Sequence, residues 1–186
     1  MGIKFISEVE FGKDIELDNL KMEYDAVFLG LGAEKPSVYD IGNFKNIYNS
    51  DVFLKKYNNN EYIKDLGNVV VIGGGNVAMD SARTAKRMGS TGVSILYRRD
   101  EEHMPARKIE LEEAKKEGIN IVYLTRVIRG SGENGDLKEL ECIKTEIIDH
   151  KAIDVVNSEF KYKADSVVFA IGLKPNKQLM NLEELI

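Results

Sequence analysis

Three glycines and three arginines are the residues of this 186-residue chain best suited to holding a phosphorylated ligand. The apolar run Val69-Val70-Val71-Ile72 is broken by Gly73-Gly74-Gly75 and continues as Asn76-Val77-Ala78. Gly73-x-Gly75-x-x-Ala78 therefore fits the G-x-G-x-x-G/A fingerprint, in which each position has a physical task. Gly73 permits a tight turn, Gly75 lets the backbone approach a pyrophosphate, and Ala78 keeps the next helix close to the strand. Free N–H groups at the start of that helix, with a partial charge of about +0.5, would face the diphosphate. The expected phosphate-binding turn is Gly73, Gly74, Gly75, Asn76, Val77 and Ala78. A glycine cluster can also end a strand and bind nothing. Here a strand precedes it, a helix follows, and a second strand at Val93 to Tyr97 completes the βαβ setting the motif requires.

The arginines bear on which dinucleotide is bound. An NAD site carries Asp or Glu at the end of the second strand, about 20 residues past the fingerprint, to accept hydrogen bonds from the ribose 2′-OH. Tyr97-Arg98-Arg99 holds that place. Guanidinium forks suit a 2′-phosphate and also stack on adenine, and Arg107 is placed to close over the same phosphate from the next helix. The expected cofactor is NADPH rather than NADH. Asp100, Glu101 and Glu102 count against this: they could neutralise the arginines, or Asp100 could turn inward and bind a 2′-OH instead. Ala170-Ile171-Gly172 ends a later apolar strand and is expected beside the nicotinamide half, because the first and last strands of a nucleotide domain end at one crevice. On that reading Gly172→Val weakens binding at a nearly unchanged unfolding midpoint.

Hydrophobic periodicity identifies the elements that would carry these residues. Continuous apolar runs near Val69, Val93, Ile119 and Val167 predict parallel strands covered on both faces. Helical spacing is predicted from Asn76 to Gly89 and from Ala106 to Glu117, with Pro105 at the entry and Gly118 as the stop. Between Thr125 and Phe160 the turn-rich Gly130 to Asp136 predicts an antiparallel hairpin or meander. The fold class is α/β: a three-layer Rossmann-like parallel sheet with a small antiparallel excursion, plus a partial N-terminal appendage. In that appendage, alternation at Ile3, Phe5, Val9 and Phe11 suggests short strands, Leu17 and Leu20 a short helix, and Asp25 to Ala33 a strand buried on both faces. Residues 34–65 read as a linker in which Ser50 caps a short helix with Phe53, Leu54 and Tyr57 on its apolar side.

Composition excludes several function classes. A net charge of −5 without a long basic run gives no nucleic-acid groove, and no apolar run approaches the roughly 20 residues of a membrane span. The single cysteine, Cys142, cannot form an intrachain disulfide or an all-cysteine iron-sulfur cluster. A cytoplasmic setting is the default expectation. With two histidines, His103 and His150, no zinc or triad pattern stands out.

The chain also echoes itself: Asp25 to Gly32 aligns without gaps with Asp165 to Gly172, and Lys35-Pro36 and Lys174-Pro175 follow. Tyr24 to Ala33, Val69 to Asp80, Leu96 to Asp100 with Met104-Pro105-Ala106-Arg107, and Ala164 to Asn176 together resemble the NADPH-binding middle of the glutamate synthase small (beta) subunit family. These flavoproteins have two dinucleotide-binding domains. The resemblance implies a nested order in which an FAD domain begins, an NADPH domain is inserted, and the FAD domain resumes. The FAD fingerprint and the family's N-terminal cluster cysteines are missing here. The chain therefore reads as a piece: residues 1–33 as the tail of an FAD-domain segment, 34–65 as a linker, 66–172 as the NADPH-binding domain, and 173–186 as a cut return segment, with Asn181 to Ile186 a truncated helix. FAD is expected only in the full-length parent. Partners implied by the resemblance are the missing FAD-domain segments and a large subunit or iron-sulfur electron-transfer protein.

Such a module would hold NADPH for hydride transfer to a flavin, with no side chain acting as acid or base. The alternatives are a non-catalytic dinucleotide-binding or interaction module and, more weakly, a methyltransferase, whose ligand has no phosphate for the arginines.

Overall fold

A computed structural model describes residues 2–30, 32–33 and 35–174, which fall into two compact units, 1–33 and 34–186. In the first unit the helix α1 (Leu17–Glu23) forms as its leucines suggest, preceded by a turn at Gly12 to Asp14. That turn is closed by the Gly12 N–H donating to the Ile15 carbonyl at 2.9 Å. The expected strands do not form. Between Ile3 and Phe11 only an isolated bridge from Phe11 to Ile15 appears, and the apolar stretch after Tyr24 is irregular, with Phe28 95% exposed. A strand must pair its backbone N–H and C=O groups with a neighbour, and among the described residues this unit supplies none.

The second unit contains ten strands and three helices among its described residues. The strands are β1 (Lys35–Pro36), β2 (Ile47–Asn49), β3 (Asn68–Ile72), β4 (Gly92–Leu96), β5 (Asn120–Val122), β6 (Thr125–Glu133), β7 (Asp136–Ile148), β8 (Lys151–Lys163), β9 (Ser166–Phe169) and β10 (Leu173–Lys174). The helices are α2 (Ser50–Asn58), α3 (Asn76–Arg87) and α4 (Lys108–Lys116). A parallel sheet runs β2-β9-β3-β4-β5, a meander runs β6-β7-β8, and β1 pairs antiparallel with β10.

Alternation along β3 explains its unbroken apolar sequence. Val69 and Val71 pack on the helical side with Phe53, Ala78, Ala82 and Leu111, whereas Val70 and Ile72 face the meander with Val127, Leu140 and Phe169. Helices, parallel sheet and meander are thus three layers, and a strand in the middle layer has no solvent face. Each fully buried aliphatic side chain contributes about 1.5–3 kcal/mol relative to exposure. The last parallel strand is pinned at its start: Asp165 accepts hydrogen bonds from the Asn68 backbone N–H at 2.8 Å and side-chain amide at 2.7 Å, which ties β9 to β3.

Part of the segment read as a linker joins the sheet. Ile47–Asn49 pairs in parallel with Val167–Phe169 as an edge strand, and α2 begins at Ser50 with Asn49 as N-cap and no side-chain capping bond. Phe53 is fully buried. The echoed lysine-proline pairs meet in part: Lys35 and Pro36 register with Lys174 and Leu173. Pro175 and the helix expected at Asn181 to Ile186 lie outside the described residues.

Candidate functional site

Strands β3, β4 and β9 end at one edge of the parallel sheet, and the turn after β3 shows why glycine is needed there. At Gly73 φ is +146°, and a Cβ would stand 2.3 Å from the Ala170 carbonyl oxygen. The Gly73 N–H reaches the Leu96 carbonyl at 3.2 Å, and the Ala170 N–H reaches that of Ile72 at 2.8 Å, so all three strand ends are bonded together. A Cβ on Gly74 would lie 2.4 Å from the Tyr97 ring. Around Gly75 the situation reverses: a Cβ would meet nothing within 4 Å. The first two glycines are required by the protein's own packing; the third faces open space.

Gly75 is the N-cap of α3 and has no side chain with which to satisfy the first N–H groups. The first turn carries no acidic residue either, so the positive end of the helix dipole faces the cleft uncompensated. Ala78 is fully buried in the helix-side core, as close approach of helix to strand demands.

Just past β4 the backbone is fixed from the meander and from the turn that leads into it. The Arg98 carbonyl accepts from the Thr145 hydroxyl at 2.7 Å, and the Arg99 carbonyl from the Leu124 N–H at 3.0 Å. Arg98 is exposed, whereas the Nε of Arg99 is buried without a hydrogen-bond partner among the described residues. A buried guanidinium N–H that no protein group satisfies fits a ligand acceptor.

The three acids that follow point elsewhere or stand in solvent. Asp100 accepts from the His103 N–H at 3.0 Å, and the same oxygen lies 2.7 Å from His103 Nδ1. These bonds hold the Asp100 carboxyl below its usual range. Glu101 binds Lys115 at 2.9 Å and the Tyr123 hydroxyl at 2.8 Å, which depress its pKa in turn. Glu102 is exposed.

These elements surround a cleft of about 670 Å³. It gathers Gly73, Gly74, Gly75, Asn76 and Val77 from the turn, Arg98 and Arg99 from the segment after β4, and Ala170, Ile171 and Gly172 from the segment after β9. Arg107 does not line it; its side chain is exposed, and its backbone N–H donates to Asn76 Oδ1 at 2.9 Å. Among the described residues no carboxylate lines it.

Tyr39, Pro105, Thr125, Arg126 and Val127 also line the cleft, although the sequence gives none of them as a site residue. Tyr39 lies edge-on to Phe169 with centroids 5.3 Å apart, and burial pushes its hydroxyl up to about 12. Arg126 donates to Asp154 of β8 through Nε at 2.8 Å and again through a terminal nitrogen. Pro105 belongs to the Met104-Pro105-Ala106-Arg107 element; the other four have no local sequence signature, since each reaches the cleft through tertiary placement, and the Arg126–Asp154 pairing spans 28 residues.

Among the described residues no helix is long and apolar enough to cross a membrane.

A family profile described as Pyridine nucleotide-disulphide oxidoreductase matches residues 3–185. The glutamate synthase [NADPH] small chain of Escherichia coli (strain K12) is 33% identical over 201 residues, covering 95% of this chain and 42% of that protein. The NADPH-Fe(3+) oxidoreductase subunit beta of Geobacter sulfurreducens (strain DL-1 / KN400) is 33% identical over 190 residues, 95% of this chain and 28% of that protein. In three dimensions, thioredoxin reductase from Lactococcus lactis is similar with a TM-score of 0.62 at 18% identity, over 83% of this chain and 46% of that one. That last likeness is one of fold. The chain spans less than half the length of the curated relatives it matches.

Proposed function

The chain belongs to the Pyridine nucleotide-disulphide oxidoreductase family, and from that footing we propose that it is the NADPH-binding module of a longer FAD-dependent oxidoreductase. NADPH held here would supply a hydride to a flavin carried by a domain outside this chain. The residues of the chain bind and orient. Gly75 leaves room for the diphosphate, and the N–H groups at the start of α3 would donate to its oxygens. Arg98 and Arg99 hold the 2′-phosphate, with Arg107 closing over it from the start of α4. Ala170, Ile171 and Gly172 border the nicotinamide half. No side chain is needed to move a proton.

The observation that carries this reading is the cleft itself: open glycine, a helix start without a side-chain cap, and Arg98 and Arg99, with no carboxylate among the described lining residues to repel a phosphate or to favour a 2′-OH. Titrating the chain with NADPH and with NADH tests it. Tighter binding of NADPH is expected; equal affinity for the two, or binding of neither, overturns it. The electron-transfer half is tested on the longer parent chain, where NADPH should bleach the flavin absorption band. Binding without flavin reduction would instead favour a non-catalytic dinucleotide-binding module.

A further inference from the structure

Two parts of the cleft that are distant in sequence are fastened together. The loop from Arg98 to Arg107 is tied back to the glycine turn at its far end, where the Ala106 N–H donates to the Gly74 carbonyl at 3.0 Å and the Arg107 N–H donates to Asn76 Oδ1 at 2.9 Å. Within the loop, the Tyr97 hydroxyl donates to the His103 carbonyl at 2.7 Å, and the Tyr97 ring fills the space a side chain on Gly74 would need. At its near end, Arg98 and Arg99 are already fixed by Thr145 and Leu124. Beyond the loop, α4 is clamped to α3 by Arg83, which donates to Glu117 at 2.7 Å and Glu110 at 3.1 Å. Of the contacts that set where Arg107 stands, the one made by a replaceable side chain at the glycine turn is that of Asn76.

We infer that Asn76 is a positioning residue for cofactor selectivity: its carboxamide oxygen holds the Arg107 backbone so that the Arg107 guanidinium is poised over the 2′-phosphate when the diphosphate occupies the glycine turn. This rests on the NADPH reading above. The physical basis is pre-organisation. Arg107 is the N-cap of α4 with extended backbone, φ −63° and ψ 139°, and as the residue before the helix its N–H needs an acceptor from outside the helix. Asn76 supplies one. Without it the exposed end of the loop must order when the cofactor arrives, and that cost falls on the 2′-phosphate contact alone. Because Asn76 opens α3, one residue past the open glycine, the diphosphate site and the 2′-phosphate site are held in fixed register. The role differs from that of a direct phosphate ligand, whose loss would weaken both dinucleotides alike.

The test is the ratio of NADPH to NADH affinity, measured by titration of the unsubstituted chain and of four variants. Asn76→Ala should lower the ratio of NADPH to NADH affinity about tenfold. Asn76→Asp keeps the acceptor; its charge weakens both dinucleotides through the shared diphosphate but restores the ratio. Arg107→Ala should lower the ratio by itself, and Asn76→Ala added to Arg107→Ala should lower it no further, since both remove one interaction. Equal loss of both cofactors in Asn76→Ala, no loss of either, or full additivity with Arg107→Ala overturns the inference. The functional reading beneath it fails separately, if the unsubstituted chain does not prefer NADPH.

Discussion

Gly73 and Ala170 are in backbone contact across the ends of β3 and β9, so near that a methyl group on Gly73 would lie 2.3 Å from the Ala170 carbonyl oxygen. Two strands separated by almost a hundred residues therefore close on each other with no room for a side chain. Gly73→Ala must push them apart and adopt φ near +146°, a region L-residues rarely enter. The expected cost is about 3 kcal/mol or more, seen as a fall of several degrees in the unfolding midpoint. Gly75→Ala is the contrasting variant. Its φ of −91° suits alanine and its surroundings are empty, so stability should fall by no more than about 1 kcal/mol, the loss of a favourable N-cap. Dinucleotide affinity should nevertheless drop by about tenfold or more, because the methyl group occupies the ligand's space. Thermal melts and titrations on the two variants separate packing from binding.

The engagement of Asp100 with His103 settles which residue to test for 2′-group recognition. Charge-assisted hydrogen bonds contribute about 1.5–3 kcal/mol each, so Arg99→Ala should weaken NADPH about tenfold or more and leave NADH nearly unaffected. Asp100→Ala loosens the loop and should not abolish NADH binding. An NADH affinity that collapses in Asp100→Ala would show that the carboxylate reaches the ribose.

At high pH the fold should lose stability through two groups, the half-buried Tyr39 and the fully buried Cys142. Burial pushes the Tyr39 hydroxyl up to about 12 from an ordinary 10.0, and the Cys142 thiol up to about 12 from 9.0. Both are neutral in the folded chain over a range in which they ionise once unfolded. Their contribution is therefore complete below about pH 9 and is lost as pH rises toward 12. Denaturant titrations from pH 8 to pH 11 should show a shallower alkaline decline in Tyr39→Phe/Cys142→Ala than in the unsubstituted chain. The same burial predicts that Cys142 reacts with thiol reagents only as fast as the protein opens.

Gly172 behaves differently from the expectation its sequence position raises. Its φ is +90° although a Cβ there would meet nothing within 4 Å. The open space suits a site beside a ligand, but a β-branched residue cannot take that backbone without strain of about 1–3 kcal/mol. Gly172→Val should therefore lower the unfolding midpoint together with cofactor affinity. The separation of the two effects expected from sequence is better sought at Gly75.

Legibility in the sequence followed burial. β3, β4 and β9 were readable because a strand covered on both faces must be apolar throughout, and Val69–Ile72 and Val167–Phe169 are. β2 was not, because three half-buried residues at a sheet edge, Ile47-Tyr48-Asn49, carry too short a pattern. The stretch after Tyr24 has the composition of a buried strand but among the described residues has no neighbour to pair with, which composition cannot reveal. The glycine turn and Arg98-Arg99 could be located by spacing; that Asp100 turns away from the cleft depends on His103, a contact with no signature in a single sequence. Tyr39 and Arg126 join the cleft from a loop and from the meander, and nothing local marks either as part of a site.

The short ribbon of β1 and β10 has a consequence for how such a unit can be carried by other proteins. Lys35–Pro36 enters where Leu173–Lys174 leaves, in antiparallel register, and the Ser37 N–H donates to the Gly172 carbonyl at 2.9 Å just inside it. Neighbouring antiparallel strands stand about 5 Å apart, so everything between the two strands is, to a host chain, no wider than the base of a hairpin. Once the unit is folded its ends are already together, and splicing it into a surface loop adds little closure entropy to the host. Residues 37–172 can thus be gained, lost or exchanged through one narrow neck, which makes the neck the natural border for cutting this unit free or grafting it onto a different scaffold.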